Sequence, residues 1–262
     1  MKLSELFEDI SINGDSLRIT VQHYIAASTK DSISTGFRKQ PYKTTIPGCN
    51  AEVYSLLNYV SSETSTKILK SLKGQGPYRV ENKQFEHFMN EIKDAASIIV
   101  KRFSPDIIIF PKSKSEFLKH FVAEVVKSAP SAEVLNDMFI KSVLDAENVE
   151  PLINTEHPDW KKFAETHPKE VVKLKKQLKS LIKSGELELK KFYKPYLKFI
   201  KNFIELRDAY EVLDKVMYQN VLVLDDILSS GSTMAEMIRQ LDEFEPAKII
   251  GLTVFKHTNT PK

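Results

Sequence analysis

At 262 residues, 42% of them hydrophobic, the chain is long enough to bury one large core or two modest ones. Its single cysteine, Cys49, excludes an internal disulfide and suits a reducing compartment, so a cytoplasmic location is expected. A formal net charge of +3 is too small by itself to imply nucleic-acid binding. No apolar run approaches the roughly 18 residues of a membrane span, and the acidic start, MKLSELFEDISING, is unlike a signal peptide.

Three regions follow in chain order. Residues 1–83 read as an N-terminal accessory region, with a strand over Leu17 to Ile25 and helical pieces such as AEVYSLLNYVSS. From 84 the pattern becomes regular. FEHFMNEIKDAASIIVKRF carries apolar residues at helical spacing, SPD interrupts it, and IIIF is a continuous apolar run of the kind a buried parallel strand shows. PKSKS then makes a loop, EFLKHFVAEVVKS a second helix and MFIKSVL a second strand. Between about 145 and 205 a polar stretch punctuated by Pro151, Pro158 and Pro168, then a lysine-rich helical stretch, interrupt the alternation. It resumes with YEV and VLVLDD as strands, STMAEMIRQLDEF as a helix and AKIIGLTVF as a last strand. Apolar strands alternating with helices predict a doubly wound, mostly parallel α/β sheet over 84–262, carrying a helical insertion at about 145–205.

The densest chemistry lies in VLVLDDILSSGSTM, residues 221–234. Four apolar residues run into Asp225 and Asp226, and a hydroxyl-rich loop, Ser229, Ser230, Gly231, Ser232 and Thr233, leads into the next helix. In open α/β sheets ligands gather beyond the carboxyl ends of the strands. Carboxylates there suit hydroxyls or a divalent ion, and the N–H groups at a helix N-terminus suit phosphate. A sugar phosphate satisfies both. The plainer alternative is a helix capped by Ser232 beside two turn aspartates. A nucleoside triphosphatase is excluded for want of GxxxxGK[ST], and the dehalogenase pattern Asp-x-Asp is missing.

This stretch resembles the PRPP-binding signature of type I phosphoribosyltransferases, and the arrangement around it resembles their ComF-like branch. In that branch a helix precedes a strand of the type PDIIIF that opens into a basic pyrophosphate loop, here Pro111 to Lys114. The resemblance covers about 88–143 and 206–258. It implies the fold of that family and an enzyme that transfers phosphoribose from PRPP to a nitrogen acceptor with release of pyrophosphate. Asp225 and Asp226 would be the catalytic pair on the ribose hydroxyls. They would also serve Mg²⁺, directly or through ribose hydroxyls or water. Ser229, Ser230, Gly231, Ser232 and Thr233 would hold the 5′-phosphate, and Lys112, Ser113 and Lys114 the pyrophosphate. Two features depart from the family. Serine stands at position 229, where purine-salvage members carry an acid, and the segment from Pro111 to Asp225 is long. The competing function is a noncatalytic regulator on the same fold that senses PRPP or a nucleotide. PRPP or a related sugar phosphate and an unidentified acceptor are the expected partners. Nucleic acid is a second and less favoured one, a homo-oligomer is left open, and no membrane is expected.

Between Lys169 and Lys201 eleven lysines stand against three acids. Phe192, Tyr196, Phe199 and Phe203 recur at helical spacing, which reads as a core stripe under a solvated lysine face. The sharper reading is a basic lid or an acidic-partner surface. The six histidines have no paired metal spacing, and His157 and His167 are expected at the surface. His257 ends the last strand on the crevice side, where termination of a core strand and stacking on an acceptor explain it about equally well.

Overall fold

The computed structural model describes residues 7–13, 16–21, 41–46, 49–60, 69–75, 82–113, 115–183, 185–187, 191–207 and 209–258. A hairpin of β1 (Phe7–Asn13) and β2 (Ser16–Val21) stands apart from the main sheet. The end of the expected strand, residues 22–25, lies outside the described residues. The main sheet has seven strands. They are β3 (Tyr42–Thr44), β4 (Glu52–Val60), β5 (Ile107–Pro111), β6 (Glu133–Lys141), β9 (Ile204–Leu206), β10 (Asn220–Leu228) and β11 (Lys248–Thr258), in the spatial order β3-β4-β11-β10-β5-β6-β9. The five central strands are parallel and the two outer ones antiparallel, the mostly parallel α/β sheet that the alternation predicts.

Helices cover both faces. On one lie α1 (Asn82–Phe103) and α2 (Glu116–Ser128), whose buried residues pack with Leu222, Leu224, Ile250 and Leu252. Phe88, Phe117 and Phe255 stack there with ring centroids 5.6–6.3 Å apart. The other face carries α5 (Ala209–Val216), α6 (Ser232–Asp242) and the insertion, over Ile107, Ile109, Val221 and Val223. Alternate residues of β10 thus enter opposite cores, so a continuous apolar run is what such a strand requires.

Two sequence expectations are corrected. AEVYSLLNYVSS was expected as helix, but Glu52–Val60 is β4, paired with β11 over eight positions. Residues 42–60, which fall before the expected boundary at 83, therefore supply two strands of the main sheet. Its run of Val53, Tyr54, Leu56 and Leu57 is buried, Val53 in the core on one face and the others in the core on the opposite face, so a helical spacing carries no weight there. YEV was expected as a strand, but it lies in α5, where Val212 and Val216, four residues apart, face the core.

The insertion contains α3 (Trp160–Thr166) and α4 (Pro168–Leu181), joined through β7 (Ile182–Lys183) and β8 (Glu186–Leu187) to a 3₁₀ turn over Lys194–Phe199. Phe192, Tyr196, Phe199 and Phe203 are all buried, although no single helix carries them. Pro195 lacks the N–H that a helix running on from Phe192 would need, so no one helix spans all four rings, and the regular piece after it is a short 3₁₀ run. Their rings join Trp160, Phe163 and the sheet residues in one core, so the insertion is packed against the sheet. Among the described residues Lys173 meets Glu170, Lys175 Glu150, Lys179 Glu147, Lys198 Asp159 and Lys201 Glu156. Such exposed pairs stabilise little, but they remove much of the bare positive field that the sequence suggests.

At Gly251 in β11 a side chain of α6 comes close to the sheet backbone. A Cβ there would stand 2.8 Å from Met234 Sδ and 3.1 Å from Val53. Gly251→Val is expected to lower stability by about 1–3 kcal/mol in urea unfolding. Gly251→Ala should cost less, because the methionine sulfur can move while the valine on β4 cannot. Equal stability of the valine variant and the parent would contradict this packing.

Candidate functional site

The site is set by where β10 changes partners. It pairs with β5 only through Val221, Leu222 and Val223, but with β11 as far as Leu228. Beyond Val223 and Ile109 the two strands diverge. β5 is followed in sequence by β6 on one side and β10 by β11 on the other, so this divergence is the topological switch at which open α/β sheets hold ligands.

Asp225 and Asp226 stand on the β10 side of that opening. Asp226 is 7% exposed, and its Oδ2 lies 2.7 Å from Lys73 Nζ. Asp225 keeps some surface open, and its Oδ1 accepts the Asp226 N–H at 2.8 Å. Burial pushes the Asp225 carboxyl up to about 7, and the charge of Asp226 adds to the rise. The Asp226 N–H and Lys73 oppose it. Two consecutive carboxylates at the end of one strand, one buried and one half-buried, are a charge concentration that folding alone does not need. Opposite Asp225 in the register is Thr253, whose hydroxyl meets Ser55 Oγ at 2.8 Å, so the polar floor between β4 and β11 is satisfied.

Lys73 was missed in the sequence. It is the last residue before Gly74 after a short helical stretch at 69–72, where Gly74 has φ +67°. The Gly74 N–H donates to Ser71 O and the Gln75 N–H to Lys70 O, the paired bonds of a Schellman ending. That ending fixes the lysine at the helix end. The Lys-Gly pair in LKGQG was the available signal for a helix stop, though nothing in it points to Asp226.

The hydroxyl loop follows β10. Gly231 adopts φ +79° directly before α6, where a Cβ would meet Ile46 at 3.1 Å, so glycine is the residue the turn accepts. Ser230 Oγ lies 2.9 Å from Ser232 Oγ and accepts the Ser232 N–H at 3.4 Å. Ser229 and Ser230 are exposed, Ser232 and Thr233 half-buried. The cap position is Gly231, which has no side chain to cap α6. The first-turn N–H groups of a helix have no partner within it, and here they open toward a loop of small residues.

On the β5 side, Lys112 is exposed and its N–H donates to Phe139 O at 2.9 Å. Ser113 Oγ accepts the Ser115 N–H at 3.0 Å, and Ser115 caps α2. Lys114 lies outside the described residues. Lys112 and Ser113 thus sit at the carboxyl end of the strand adjacent to β10, on the same edge as the aspartates. Among the described residues no group of three His, Cys, Asp or Glu side chains could hold a metal ion. Two adjacent carboxylates still fit Mg²⁺ of the kind held by one or two carboxylates, substrate phosphates and water.

His157 departs from its expected place at the surface: it is 5% exposed, edge-on to Phe199 at 5.3 Å. The sequence hides this because its neighbours are polar, and the aromatic partner comes from 42 residues away. No helix among the described residues is long and apolar enough to cross a membrane. No curated protein matches the chain. The phosphoribosyl transferase domain family matches residues 195–262, the stretch that holds β10, the hydroxyl loop, α6 and β11, so this part of the chain is similar to a phosphoribosyl transferase domain.

Proposed function

We propose that the protein binds PRPP with Mg²⁺ and transfers phosphoribose to a nitrogen acceptor, releasing pyrophosphate. The observation that carries this reading is the acidic pair followed directly by the Ser-Gly loop at the β5/β10 divergence, inside the segment similar to a phosphoribosyl transferase domain. On this reading Asp225 and Asp226 take the ribose hydroxyls. Ser229, Ser230, Gly231, Ser232 and Thr233 hold the 5′-phosphate against the N-terminal turn of α6. Lys112 and Ser113, with Lys114, face the pyrophosphate. Cleavage at C1 leaves a cation-like ribose and puts charge on the departing pyrophosphate. On this reading Lys112 would stabilise that developing charge, and the carboxylates would fix the ring while it develops. Mg²⁺, when bound, supplies charge neutralisation on the pyrophosphate.

Lys73 pairs with Asp226, so ribose binding must share or displace that contact. This contact, with serine at 229, favours the second reading of a noncatalytic PRPP sensor on the same fold. Calorimetric titration of PRPP with and without millimolar Mg²⁺ tests the shared part, and magnesium-dependent binding is expected. Absence of binding in both conditions removes the two readings together. Pyrophosphate release with PRPP and a panel of nitrogen acceptors separates them, because only the enzyme turns over.

A further inference from the structure

Lys73 reaches the acidic pair from outside the segment similar to a phosphoribosyl transferase domain, and both of its ends are fixed. At the backbone, Leu69 and Leu72 are buried in the core that holds Leu222 and Leu224, and the Schellman ending at Gly74 stops the chain directly after the lysine. At the other end Nζ lies 2.7 Å from Asp226 Oδ2, with 21% of the lysine side chain exposed and 9% of the aspartate's. A pair this sheltered is no loose surface contact. Removing the lysine leaves a nearly buried carboxylate without a counter-charge.

The divergence of β5 from β10 sets the remaining contacts. Successive residues of a strand face opposite sides, so Asp226 follows Leu222 and Leu224 onto the face of α1 and α2, where Lys73 lies. Beyond Val223 the β5 partner is gone, and the Asp226 N–H donates to Asp225 Oδ1. Each carboxylate thus has one oxygen engaged, Asp225 Oδ1 by that N–H and Asp226 Oδ2 by Lys73. Among the described residues the other oxygens, Asp225 Oδ2 and Asp226 Oδ1, have no hydrogen-bond partner, and neither is a fully buried atom. A carboxylate oxygen only accepts, so what these two can take is a ligand hydroxyl or a cation.

We propose that Lys73 is a positioning residue of the sugar site, holding Asp226 by Oδ2 so that Oδ1 stays free to accept a ligand hydroxyl. Ribose then shares the contact with Lys73 and does not displace it. Without the lysine the carboxylate is free to turn about its side-chain bonds, and part of the binding energy goes into fixing it. The inference rests on the phosphoribose reading of the crevice and holds for the enzyme and the sensor alike. It brings residues 69–75 into a site whose other side chains lie on the β5 and β10 loops.

The test titrates two ligands calorimetrically, without Mg²⁺, against the full chain and three variants. Ribose 5-phosphate carries the ring hydroxyls, and tetrahydrofurfuryl phosphate has the same ring and phosphate without them. Lys73→Met is expected to weaken ribose 5-phosphate about tenfold or more, and tetrahydrofurfuryl phosphate by less than about twofold. Lys73→Arg, whose guanidinium can still pair with Oδ2, should recover ribose 5-phosphate to within about fivefold of the parent. A merely structural lysine would show neither the dependence on hydroxyls nor the rescue. Gly74→Val acts from outside the crevice. Nothing lies within 4 Å of its Cβ, but φ +67° is strained for a β-branched residue, so the ending loosens while Lys73 and Asp226 remain. It should weaken ribose 5-phosphate alone, by about threefold or more, and serves if Lys73→Met folds poorly. Ribose 5-phosphate bound unchanged or more tightly by both Lys73→Met and Gly74→Val overturns the proposal. So does an equal loss for the two ligands, or a failure of Lys73→Arg to recover binding. A parent that prefers ribose 5-phosphate, with the preference kept in Lys73→Met, sinks the lysine's role alone. A parent that binds both ligands equally, or neither, sinks the phosphoribose reading and this inference with it.

Discussion

Replacing Asp225 and Asp226 together by asparagine is expected to weaken PRPP binding by about 10²–10⁴-fold while the fold remains intact. Each carboxylate is proposed to make a charge-assisted contact worth about 1.5–3 kcal/mol, and two such losses give that factor. The amides keep the size of the side chains. A side-chain amide oxygen at position 225 can still accept the backbone N–H of position 226, as Asp225 Oδ1 does in the parent. Calorimetry in the presence of Mg²⁺ gives the affinity and circular dichroism the fold. A double variant that binds PRPP as the parent does would move the ribose site elsewhere.

The single change Asp225→Asn carries the opposite sign for stability. Burial raises this carboxyl from 3.8 to about 7 in the folded chain. Its charge is therefore a cost that is absent below about pH 4, grows between pH 4 and 7, and is complete above pH 7. At about 1.4 kcal/mol per unit the full shift would correspond to roughly 4 kcal/mol. Solvent reaching the open side of the crevice reduces this, and a gain of about 1–3 kcal/mol is expected at pH 8, fading toward pH 4. Urea unfolding at the two pH values measures it. A variant less stable than the parent at pH 8 would show that the Asp225 charge supports the fold, contrary to the cost of burying it.

The largest effect on stability is expected at Phe199. Its side chain is 2% exposed, stacks on Phe163 at 4.6 Å and meets Trp160 and His157 edge-on at 5.3 Å. Phe199→Ala removes the ring that ties α3 to the 3₁₀ turn and leaves a cavity between the insertion and the sheet. A loss of about 3–5 kcal/mol follows from core truncations of this size. Trp160 is the only tryptophan of the chain, so its fluorescence reports the insertion directly while circular dichroism reports the whole. Coincident transitions, both shifted, are expected if the insertion shares the core of the sheet. A shift in the tryptophan signal alone would make the insertion a separately melting unit and revive the idea of a lid.

Much of this architecture is written locally. IIIF and VLVL announce buried parallel strands because residues alternating into two cores must all be apolar, and EFLKHFVAEVVKS announces α2 through Phe117, Leu118, Phe121, Val122 and Val125, which are all buried. The opening residues of the site were equally plain. Asp225, Asp226 and Ser229 to Thr233 are nearly contiguous, so their common position at the end of one strand needs no knowledge of the fold.

What the sequence by itself determined is therefore the α/β alternation, the helix faces and the position of the acidic pair and its loop. Only the tertiary structure decided the rest. β4 read as helix because its apolar residues suit either period, and its pairing with β11, about 200 residues away, selects the strand. Lys73 met Asp226 from a different segment, across 153 positions, through a helix ending that places the lysine without naming its partner. His157 was pulled inward by Phe199, and the lysines of the insertion found acids from its own loops. In each case the deciding energy is a contact between segments distant in the chain. Local spacing records which side of an element is apolar, but not what will be laid against it.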